Sequence, residues 1–489
     1  MIRKFILFIF VSLFILFIWM VWSMTELSSK QLSILPIEKI KFDENRLIKN
    51  LSDAITYKTI SHEDSNAVDA ITFLAFHKFL RRTYPLTFEK LEEKIFSGYT
   101  ILLKWKGENT APINPILLMA HMDVVPAGDL DKWQEDPFSG LIKNNFIYGR
   151  GTIDDKSSLI SILESVEYLL ELGFSPERDI YISLGHDEEN SGIEGNSMVA
   201  KSLKKEGIYF DFIIDEGSVV TNGIISEVHS PIAIVGTAEK GYLSLKLTSN
   251  YKSGHSSIPG KSTTIGKLSK AIYNLQKNQM PSKLVNPVKD FLIHIGPEMS
   301  LKSRFSISNI NLLSTSILLN LEKNSTTDAM IRTTMAPTII NGGNKSNVLP
   351  SEASAIINFR IRQGDSINKV KEHVTNTIND NDITVEVLSN TLFSEPSKVS
   401  NPSSPSFNII HKTIKEIFNN VVVAPGLVIA TTDSRHYQNI SKDIYRFMPI
   451  ELSPDDLSMI HGYNEKISIE SYLNMIQFYI QLIKNSHAS

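Results

Sequence analysis

The chain has 489 residues, 42% of them hydrophobic and 21% charged, and a formal net charge of −4. This length predicts two or three domains, and the apolar side chains are ample for their cores. The charge balance gives no reason to expect nucleic acid as a partner, and the absence of cysteine excludes disulfides, thiolate metal sites and a cysteine nucleophile.

The first element is an apolar run over residues 5–22, which is about long enough to cross a bilayer as a helix. Arg3 and Lys4 precede it, so the N-terminus is expected in the cytoplasm and the rest of the chain outside it. We therefore predict a single-pass signal anchor, a stalk at residues 23–40, and a catalytic part in a periplasm or lumen. The alternative is a cleaved signal peptide and a secreted protein. The long apolar core favours the anchor.

Residues 41–236 alternate strand-like apolar runs with helical patterns. PILLMA, DIYISLG and FDFIID are typical of buried strands, and LISILESVEYLLELG is typical of an amphipathic helix. Such alternation predicts a mostly parallel α/β sheet, in which functional residues gather beyond the carboxyl ends of the strands. We assign this region to the first part of a catalytic domain.

The pattern changes near residue 237. GYLSLKLTSN and SEASAIINFRIR alternate with period two, as half-exposed antiparallel strands do, and a helical pattern follows them. We predict a smaller α+β lid or dimerisation domain at residues 237–395, inserted into the catalytic domain, whose second part is residues 396–489. Residues 283–325 have mixed periodicity and are expected to add helices whose role the sequence does not assign.

The segments HMD and GRGTIDD carry the first candidate metal ligands. His121 and Asp123 lie two apart at a strand end, so both face one side, and Asp123 can accept the second N–H of a metal-bound imidazole. The two acids of GRGTIDD precede a helix, where capping and the helix dipole alone would favour carboxylates. A pair of metal ions also needs one bridging carboxylate, and Asp154 is our candidate.

Three further segments offer acids or an imidazole. Glu188 and Glu189 are adjacent after a strand, so one can bind metal while the other acts as general base. Asp215 ends the run FDFII, where a carboxylate is either a cap or a ligand. His461 stands in MIHGYNE, and a single histidine is more often structural than catalytic.

The candidates gain weight as a set that supplies two imidazoles and three carboxylates: His121, Asp154, Glu189, Asp215 and His461. These donors suit two roughly tetrahedral Zn²⁺ ions with an open position, with Co²⁺ or Mn²⁺ as substitutes. Two such ions can activate a shared water for attack on a carbonyl. A single-metal enzyme that uses only part of the set is the alternative.

Several of the segments occur together in a known family. The combination consists of LLMAHMDVVPAG, WQEDPFSG, YGRGTIDDKSS, HDEENSG, GHSSIPG, NVLPSEA, TTDSRHY and IHGYNE. It resembles the di-zinc aminoacylase and carboxypeptidase family that includes acetylornithine deacetylase and succinyl-diaminopimelate desuccinylase. The subgroup it looks most like contains carboxypeptidase S and the secreted N-fatty-acyl-amino-acid hydrolase. The likeness runs from about residue 45 to 485 and is weak over residues 283–325.

The resemblance implies a role for each metal ligand. His121 and Asp215 would bind one zinc ion, and Glu189 and His461 would bind the other. Asp154 would bridge the two ions, and the peptide bond that follows it would be cis.

The resemblance also implies catalytic and substrate-binding roles. The catalytic residues would be the general base Glu188, the histidine partner Asp123 and the oxyanion-stabilising His255. The residues on the substrate side would be Arg435, Asn347 and Arg360. The arginine fork of Arg435 matches a substrate carboxylate, and the alternative for it is a surface salt bridge.

These roles predict zinc-dependent hydrolysis of an amide bond to an amino acid with a free carboxylate, as by a carboxypeptidase or dipeptidase on short peptides. The alternative substrate is an N-acyl amino acid with a long acyl chain, in a reaction that is reversible. A non-catalytic binding protein on the same fold would be expected to lack a ligand or the base, and the sequence lacks neither. The membrane and a second copy of the chain are the expected partners, because in several dimeric relatives the histidine of GHSS reaches the neighbouring active site.

Overall fold

The computed structural model of the protein describes residues 1–62, 68–108, 113–223, 225, 227–388 and 393–486. Its α-helices are α1 (Ile2–Glu26), α2 (Glu44–Ile55), α3 (Ala70–Thr83), α4 (Pro85–Lys90), α5 (Lys156–Glu171), α6 (Asn196–Lys205), α7 (Thr264–Lys277), α8 (Val288–Ile295), α9 (Leu301–Ser308), α10 (Ile310–Leu321), α11 (Ser325–Ile331), α12 (Ile367–Ile378), α13 (Pro405–Ile417) and α14 (Ile469–Asn485). Its strands are β1 (Glu92–Phe96), β2 (Thr100–Trp105), β3 (Ile116–His121), β4 (Ile142–Lys143), β5 (Phe146–Tyr148), β6 (Ile180–Gly185), β7 (Phe210–Asp215), β8 (Val220–Thr221), β9 (Ile232–Glu239), β10 (Gly241–Asn250), β11 (Gly254–His255), β12 (Thr334–Asn341), β13 (Val348–Leu349), β14 (Glu352–Ile361), β15 (Ile383–Val387), β16 (Val422–Val428), β17 (Ser441–Arg446), β18 (Glu451–Leu452) and β19 (Lys466–Ser468).

A ten-stranded sheet forms the larger unit, with the order β1-β2-β6-β3-β7-β17-β9-β8-β18 and β16 beside β9. Its central neighbours β6, β3, β7 and β17 are parallel, whereas β1 and β2 join antiparallel at one edge. The sheet is therefore mixed, with a parallel centre. All six residues of β3 are buried because helices cover both faces of the sheet.

The parallel centre determines where the functional segments meet. Because β6, β3 and β7 are adjacent and run in the same direction, their carboxyl ends lie at one edge of the sheet. HMD, HDEE and DEG follow these three strands, so the topology brings all three segments to that edge, as expected for α/β sheets.

A second, four-stranded antiparallel sheet has the order β12-β14-β10-β15. The two segments whose period-two alternation predicted antiparallel strands pair with each other as β10 and β14 over ten residues. Helices α7 and α12 cover one face, where Leu268 and Val370 pack with Leu245 and Ile357 in a core of their own. The alternating burial of β14 follows from this single covered face.

Residues 283–325 form helices that pack on the larger sheet. Phe291 of α8, Ile307 of α9 and Ile310 of α10 share a buried cluster with Ile232 of β9 and Val422 of β16. These helices therefore lie within the inserted segment by sequence but belong to the larger unit by packing.

Residues 23–40, the predicted stalk, follow the surface of the larger unit. The Gln31 side-chain amide both donates to the Val423 carbonyl (2.9 Å) and accepts from its N–H (2.8 Å). Ile37 N–H donates to the Glu416 carbonyl at 2.9 Å. The physical reason is that β16 pairs with β9 alone, so its other edge carries backbone groups that the Gln31 amide satisfies.

Helix α1 contains the predicted apolar run and extends it on both sides, to 25 residues. Among the described residues it is the one helix long and apolar enough to cross a membrane. None of its residues is buried.

Candidate active site

The site begins at the end of β3 with His121 and Asp123. The Asp123 carboxylate lies 3.3 Å from His121 Nδ1. Its two oxygens also accept the backbone N–H groups of Glu188 (3.2 Å) and Glu189 (3.1 Å). Asp123 is fully buried, so this one carboxylate fixes both the imidazole and the turn that carries the two glutamates.

Asp154 lies between two imidazoles. Its Oδ1 is 2.9 Å from His121 Nε2, and its Oδ2 is 3.0 Å from His461 Nε2. The peptide bond after Asp154 is cis, as the resemblance implied. The loop is held by the buried Glu465, which accepts the Asp154 N–H at 3.2 Å and pairs with Arg150 at 2.6 Å.

Two groups of side chains could each hold a metal ion, and they share Asp154. One consists of His121, Asp154 and Glu216, and the other of Asp154, Glu189 and His461, with the ligand atoms of each group within 4.8 Å of one another. Glu216 Oε1 lies 3.5 Å from His121 Nε2, and Glu189 Oε2 lies 3.1 Å from His461 Nε2.

Asp215, which the sequence predicted as a ligand of the first ion, is not among the side chains of either group. Its role as a ligand stays a prediction. Asp215 Oδ1 accepts the Glu216 N–H at 3.0 Å, and its Oδ2 accepts the Ser434 N–H at 2.9 Å. The physical reason is that β7 ends at Asp215, so the pleat no longer dictates the direction of the next side chain. The chain turns at Gly217, where φ is +134°, and Glu216 points towards His121 instead.

The charges of the site fit divalent cations. Burial raises the pKa of Glu188 well above its usual value, and the Glu216 carboxylate adds to this increase. Hydrogen bonds to Asp154 and then Glu189 raise the pKa of His461 to about 10. Four carboxylates therefore crowd around two imidazoles, and the buried Glu189 Oε1 has no hydrogen-bond partner within the part of the chain that the structure describes. Cations that neutralise these acids would relieve both the repulsion and the missing contact.

A cleft of about 850 Å³ opens beside these groups, between the two sheets. Glu188, His461 and Arg435 line it from the larger unit, and Tyr242 and Arg360 line it from the four-stranded sheet. The cleft therefore offers the general-base candidate, two arginines and two members of one metal group, Glu189 and His461, to one bound molecule.

Arg435 sits on a helical turn, Asp433–Tyr437, at the wall of the cleft. Two carboxylates position the turn. Asp215 accepts the Ser434 N–H at 2.9 Å, and Glu239 accepts the Thr432 N–H at 2.8 Å. The buried Arg435 Nε has no hydrogen-bond partner among the described residues, and the Asp433 carboxylate is 3.9 Å from the guanidinium. Because its Nε lacks a hydrogen-bond partner among the described residues, this guanidinium is available to bind the carboxylate of a substrate.

The other substrate-side candidates divide into two places. Arg360 lies in the cleft, with its guanidinium 4.6 Å from the centre of the Tyr242 ring. His255 lies on β11 and Asn347 directly precedes β13, in the exposed two-stranded β11–β13 sheet, and neither is among the residues that line the cleft. The His255 ring contacts the Ser257 hydroxyl at 2.8 Å.

Sequence reasoning missed two acids of the site, Glu216 and Glu465. Glu216 directly follows Asp215, the strand-end residue that we predicted as a ligand. The signal that could have pointed to Glu216 is its side chain, which is longer than that of Asp215. Glu465 lies in the same IHGYNE segment as His461, but a loop glutamate has no local pattern that separates a buried anchor from a solvated acid.

Comparisons with known proteins agree with this geometry. The model of peptidase family M20/M25/M40 matches residues 117–485. The chain is 43% identical over 444 residues to probable carboxypeptidase S-like 2 of Dictyostelium discoideum, with 90% of this chain and 85% of that protein covered. It is 38% identical over 448 residues to the N-fatty-acyl-amino acid synthase/hydrolase PM20D1 of Xenopus tropicalis, with 91% and 86% covered.

Solved structures share the fold at low identity. The M20 family metallo-carboxypeptidase Sso-CP2 of Sulfolobus solfataricus aligns with a TM-score of 0.67 and 18% identity, covering 91% of this chain and 99% of that one. YXEP of Bacillus subtilis, a dinuclear metal-binding peptidase of the M20 family, aligns with a TM-score of 0.56 and 13% identity, covering 90% and 97%. The resemblance drawn from the motifs is confirmed, and the chain belongs to peptidase family M20/M25/M40.

Proposed function

We propose that the chain is a two-metal hydrolase that cleaves an amide bond to an amino acid with a free α-carboxylate. The observation that carries this proposal is a cleft lined by Glu188, by Arg435 and by Glu189 and His461 of one ligand group, with Asp154 linking that group to the second one. Membership of the M20 family and its carboxypeptidase relatives supports the same class of reaction.

Two Zn²⁺ ions are the cofactors that we propose. His121 and Glu216 would hold one, Glu189 and His461 would hold the other, and the two oxygens of Asp154 would reach both. Imidazole and carboxylate donors without thiolate suit zinc in a catalytic site, and Co²⁺ or Mn²⁺ would substitute. The dinuclear metal site named for the Bacillus subtilis relative supports the number of ions.

Glu188 and Asp123 would have different roles in the reaction, beside the bound metal ions. Bound metal ions would supply Lewis acidity and lower the pKa of water in the site. Glu188 takes a proton from the attacking water and delivers it to the leaving amine, because its raised pKa suits a group that alternates between base and acid. Asp123 acts by positioning, since it holds both the Glu188 backbone and the His121 ring.

Arg435 binds the α-carboxylate of the substrate in this proposal, with Arg360 on the opposite wall as a second cation. We expect Arg435→Met to lower kcat/KM for a free-carboxylate substrate by about 10²-fold, because a charge-assisted hydrogen-bonded pair is lost. Steady-state kinetics on an N-acyl amino acid and its C-terminal amide measure this effect. The amide should already be poor in the wild type and unchanged in the variant. An equal loss on both substrates would assign Arg435 a structural role instead.

N-acyl amino acids are a second candidate substrate class, favoured by the cleft wall. Apolar side chains line the cleft beside the polar groups, namely Ile60, Val68, Ile193, Ile339 and Leu388. Such a wall can hold an acyl chain, and the Xenopus tropicalis relative is named for hydrolysis and synthesis of N-fatty-acyl amino acids.

A series of N-acyl amino acids of graded chain length, assayed beside dipeptides, tests the proposed function and separates the two classes. If the apolar wall binds the acyl chain, each added methylene lowers KM by about fourfold until the wall is filled. Dipeptides cleaved faster than every acyl substrate would identify a peptidase. No turnover of either class by the metal-loaded protein would refute the proposal.

We further propose that the smaller unit, residues 237–395, acts as a lid and dimerisation domain, and that His255 serves the active site of a second copy. The exposed position of His255 outside its own cleft supports this, together with the role implied by family resemblance. Closure of the lid would exclude water from the cleft and bring the donated imidazole to the developing oxyanion. Asn347 would move with it, because its carbonyl accepts the N–H of Ser256, next to His255, at 3.1 Å.

Mixing two inactive variants tests whether His255 acts across subunits. Co-expression of Glu188→Gln and His255→Ala should recover about a quarter of wild-type activity, since random pairing gives half heterodimers and each heterodimer has one intact site. Each variant expressed alone is the control. A mixture as inactive as its parents would exclude a His255 donated by the partner.

The N-terminal helix is proposed as an uncleaved anchor with the catalytic part outside the cytoplasm. Its length and apolar composition support a single span, and Arg3 and Lys4 at its start support the orientation.

A further inference from the structure

Helix α10 carries an outward face without charge. The twelve residues of α10, INLLSTSILLNL, include no acidic or basic side chain. Ile310, Ile317 and Leu321 face inwards, onto the cluster shared with β9 and β16. Leu312 and Leu319 face outwards, with 53% and 60% of their surface exposed. Two leucines seven residues apart lie on one side of a helix. The exposed residues between them on that side, Thr315 and Ser316, are small and uncharged.

Helix α9, which leads into α10, lies against the N-terminal helix. The Phe305 ring is 6.3 Å from the Phe17 ring, measured between centroids. The Asn309 side-chain amide donates to the Met20 carbonyl at 3.1 Å. Two turns further along the chain, Arg304 donates to the carbonyl of Leu27, the residue that follows α1, at 2.7 Å. The contacts therefore extend along the C-terminal third of α1.

These contacts fix the depth of α9 relative to the apolar run of α1. The run of residues 5–22 spans roughly 27 Å at 1.5 Å per residue, which is close to the thickness of a bilayer core. Phe17 is five residues before its end, or roughly 8 Å inside the hydrocarbon. Phe305 touches Phe17, so the start of the α9–α10 pair lies at the same depth whatever the tilt of α1.

The connection to the catalytic unit leaves little freedom for another orientation. Residues 23–40 are hydrogen-bonded to the larger unit through Gln31 and Ile37. Ser29 also donates to the Glu298 carboxylate at 2.6 Å, next to α9. The catalytic unit is thus held beside the end of α1 and does not hang from a free stalk.

We propose that α9 and α10 insert into the outer leaflet beside α1 and that Leu312 and Leu319 contact lipid acyl chains. The inference rests on the proposed membrane anchor and adds a second, monotopic membrane element formed by residues 301–321. An uncharged amphipathic helix next to a transmembrane span has the chemistry to lie in the lipid interface. The bilayer would then hold the larger unit, and the cleft with it, in one orientation at the membrane surface.

Site-specific labelling tests the proposal, and the absence of native cysteine makes each label unique. The variants Phe10→Cys, Leu312→Cys, Leu319→Cys and Leu172→Cys of the full chain are labelled with an environment-sensitive fluorophore. They are then reconstituted in phosphatidylcholine vesicles with or without doxyl-labelled lipid. Leu172 is the matched control, since it is a leucine 61% exposed that follows α5. We expect blue-shifted emission and doxyl quenching at residues 10, 312 and 319, and neither at residue 172.

The outcomes separate this inference from the anchor on which it rests. Quenching at residue 10 without quenching at 312 and 319 would overturn the inference and leave the anchor standing. A blue shift at 312 and 319 that doxyl lipid does not quench would show that protein, such as a second copy, covers α10, and would also overturn it. No quenching at any position would reject both the anchor and the inserted helices.

Discussion

Replacing Glu188 with glutamine should reduce kcat by between about 10² and 10⁴-fold while the metal content stays at the wild-type level. Glutamine keeps the size of the side chain but cannot accept the proton of the attacking water. The metal content should persist because Glu188 belongs to neither of the two ligand groups that share Asp154. Single-turnover kinetics and elemental analysis of the same preparation measure the two quantities.

Glu194→Gln provides the matched control for this prediction. Glu194 lies on the same loop and at the rim of the same cleft, but its side chain is exposed. Its variant should retain nearly full activity. If Glu188→Gln loses metal together with activity, Glu188 is a ligand and the proposed division of roles between the two adjacent glutamates is wrong.

The neighbouring pair Asp215 and Glu216 gives the second large effect. Glu216→Gln should lower the affinity for one of the two ions by more than the 10- to 100-fold that loss of an outer-shell partner costs, because a direct ligand is removed. Metal titration should then give one tight ion per chain in place of two. Activity should fall with the occupancy of the weakened site.

Asp215→Asn is the discriminating variant, since the sequence alone favoured Asp215 as the ligand. The structure has this carboxylate accepting the N–H groups of Ser434 and Glu216. We therefore expect two ions to remain bound and KM to rise, because the turn that carries Arg435 loses one of its anchors. Loss of one ion in Asp215→Asn with two retained in Glu216→Gln would restore the original assignment.

Most of the site could be predicted because it depends on local patterns. A polar residue directly after a buried strand of a parallel sheet has few roles other than function, and His121 and Glu189 were chosen for that reason. Asp154 was chosen because two ions need a bridge, and its two oxygens do face different imidazoles. The strand pattern does not distinguish Asp215 from Glu216, because the pleat ends with the strand and only the following turn decides which side chain faces His121.

Other features depended on contacts between distant segments. Residues 23–40 have no strong pattern of their own, and their course along the protein depends on the unpaired edge of β16, about 400 residues away in sequence. Residues 283–325 show mixed periodicity because α10 carries leucines on its exposed side, Leu312 and Leu319, as well as apolar residues on the side that packs against the larger sheet.

By itself the sequence determined the family, the α/β order of the elements and the apolar span. It also predicted a ligand set of which four members lie in the two groups that share Asp154. These are properties of strand ends, periodicities and motifs, which are local in the chain. The tertiary structure alone decided that Glu216 faces His121, that Glu465 anchors the Asp154 loop, and that α9 lies beside α1. The physical reason is that a strand's pleat no longer fixes the direction of side chains beyond its end. A distant segment that packs against that end sets this direction, and it also supplies the partner of a buried acid.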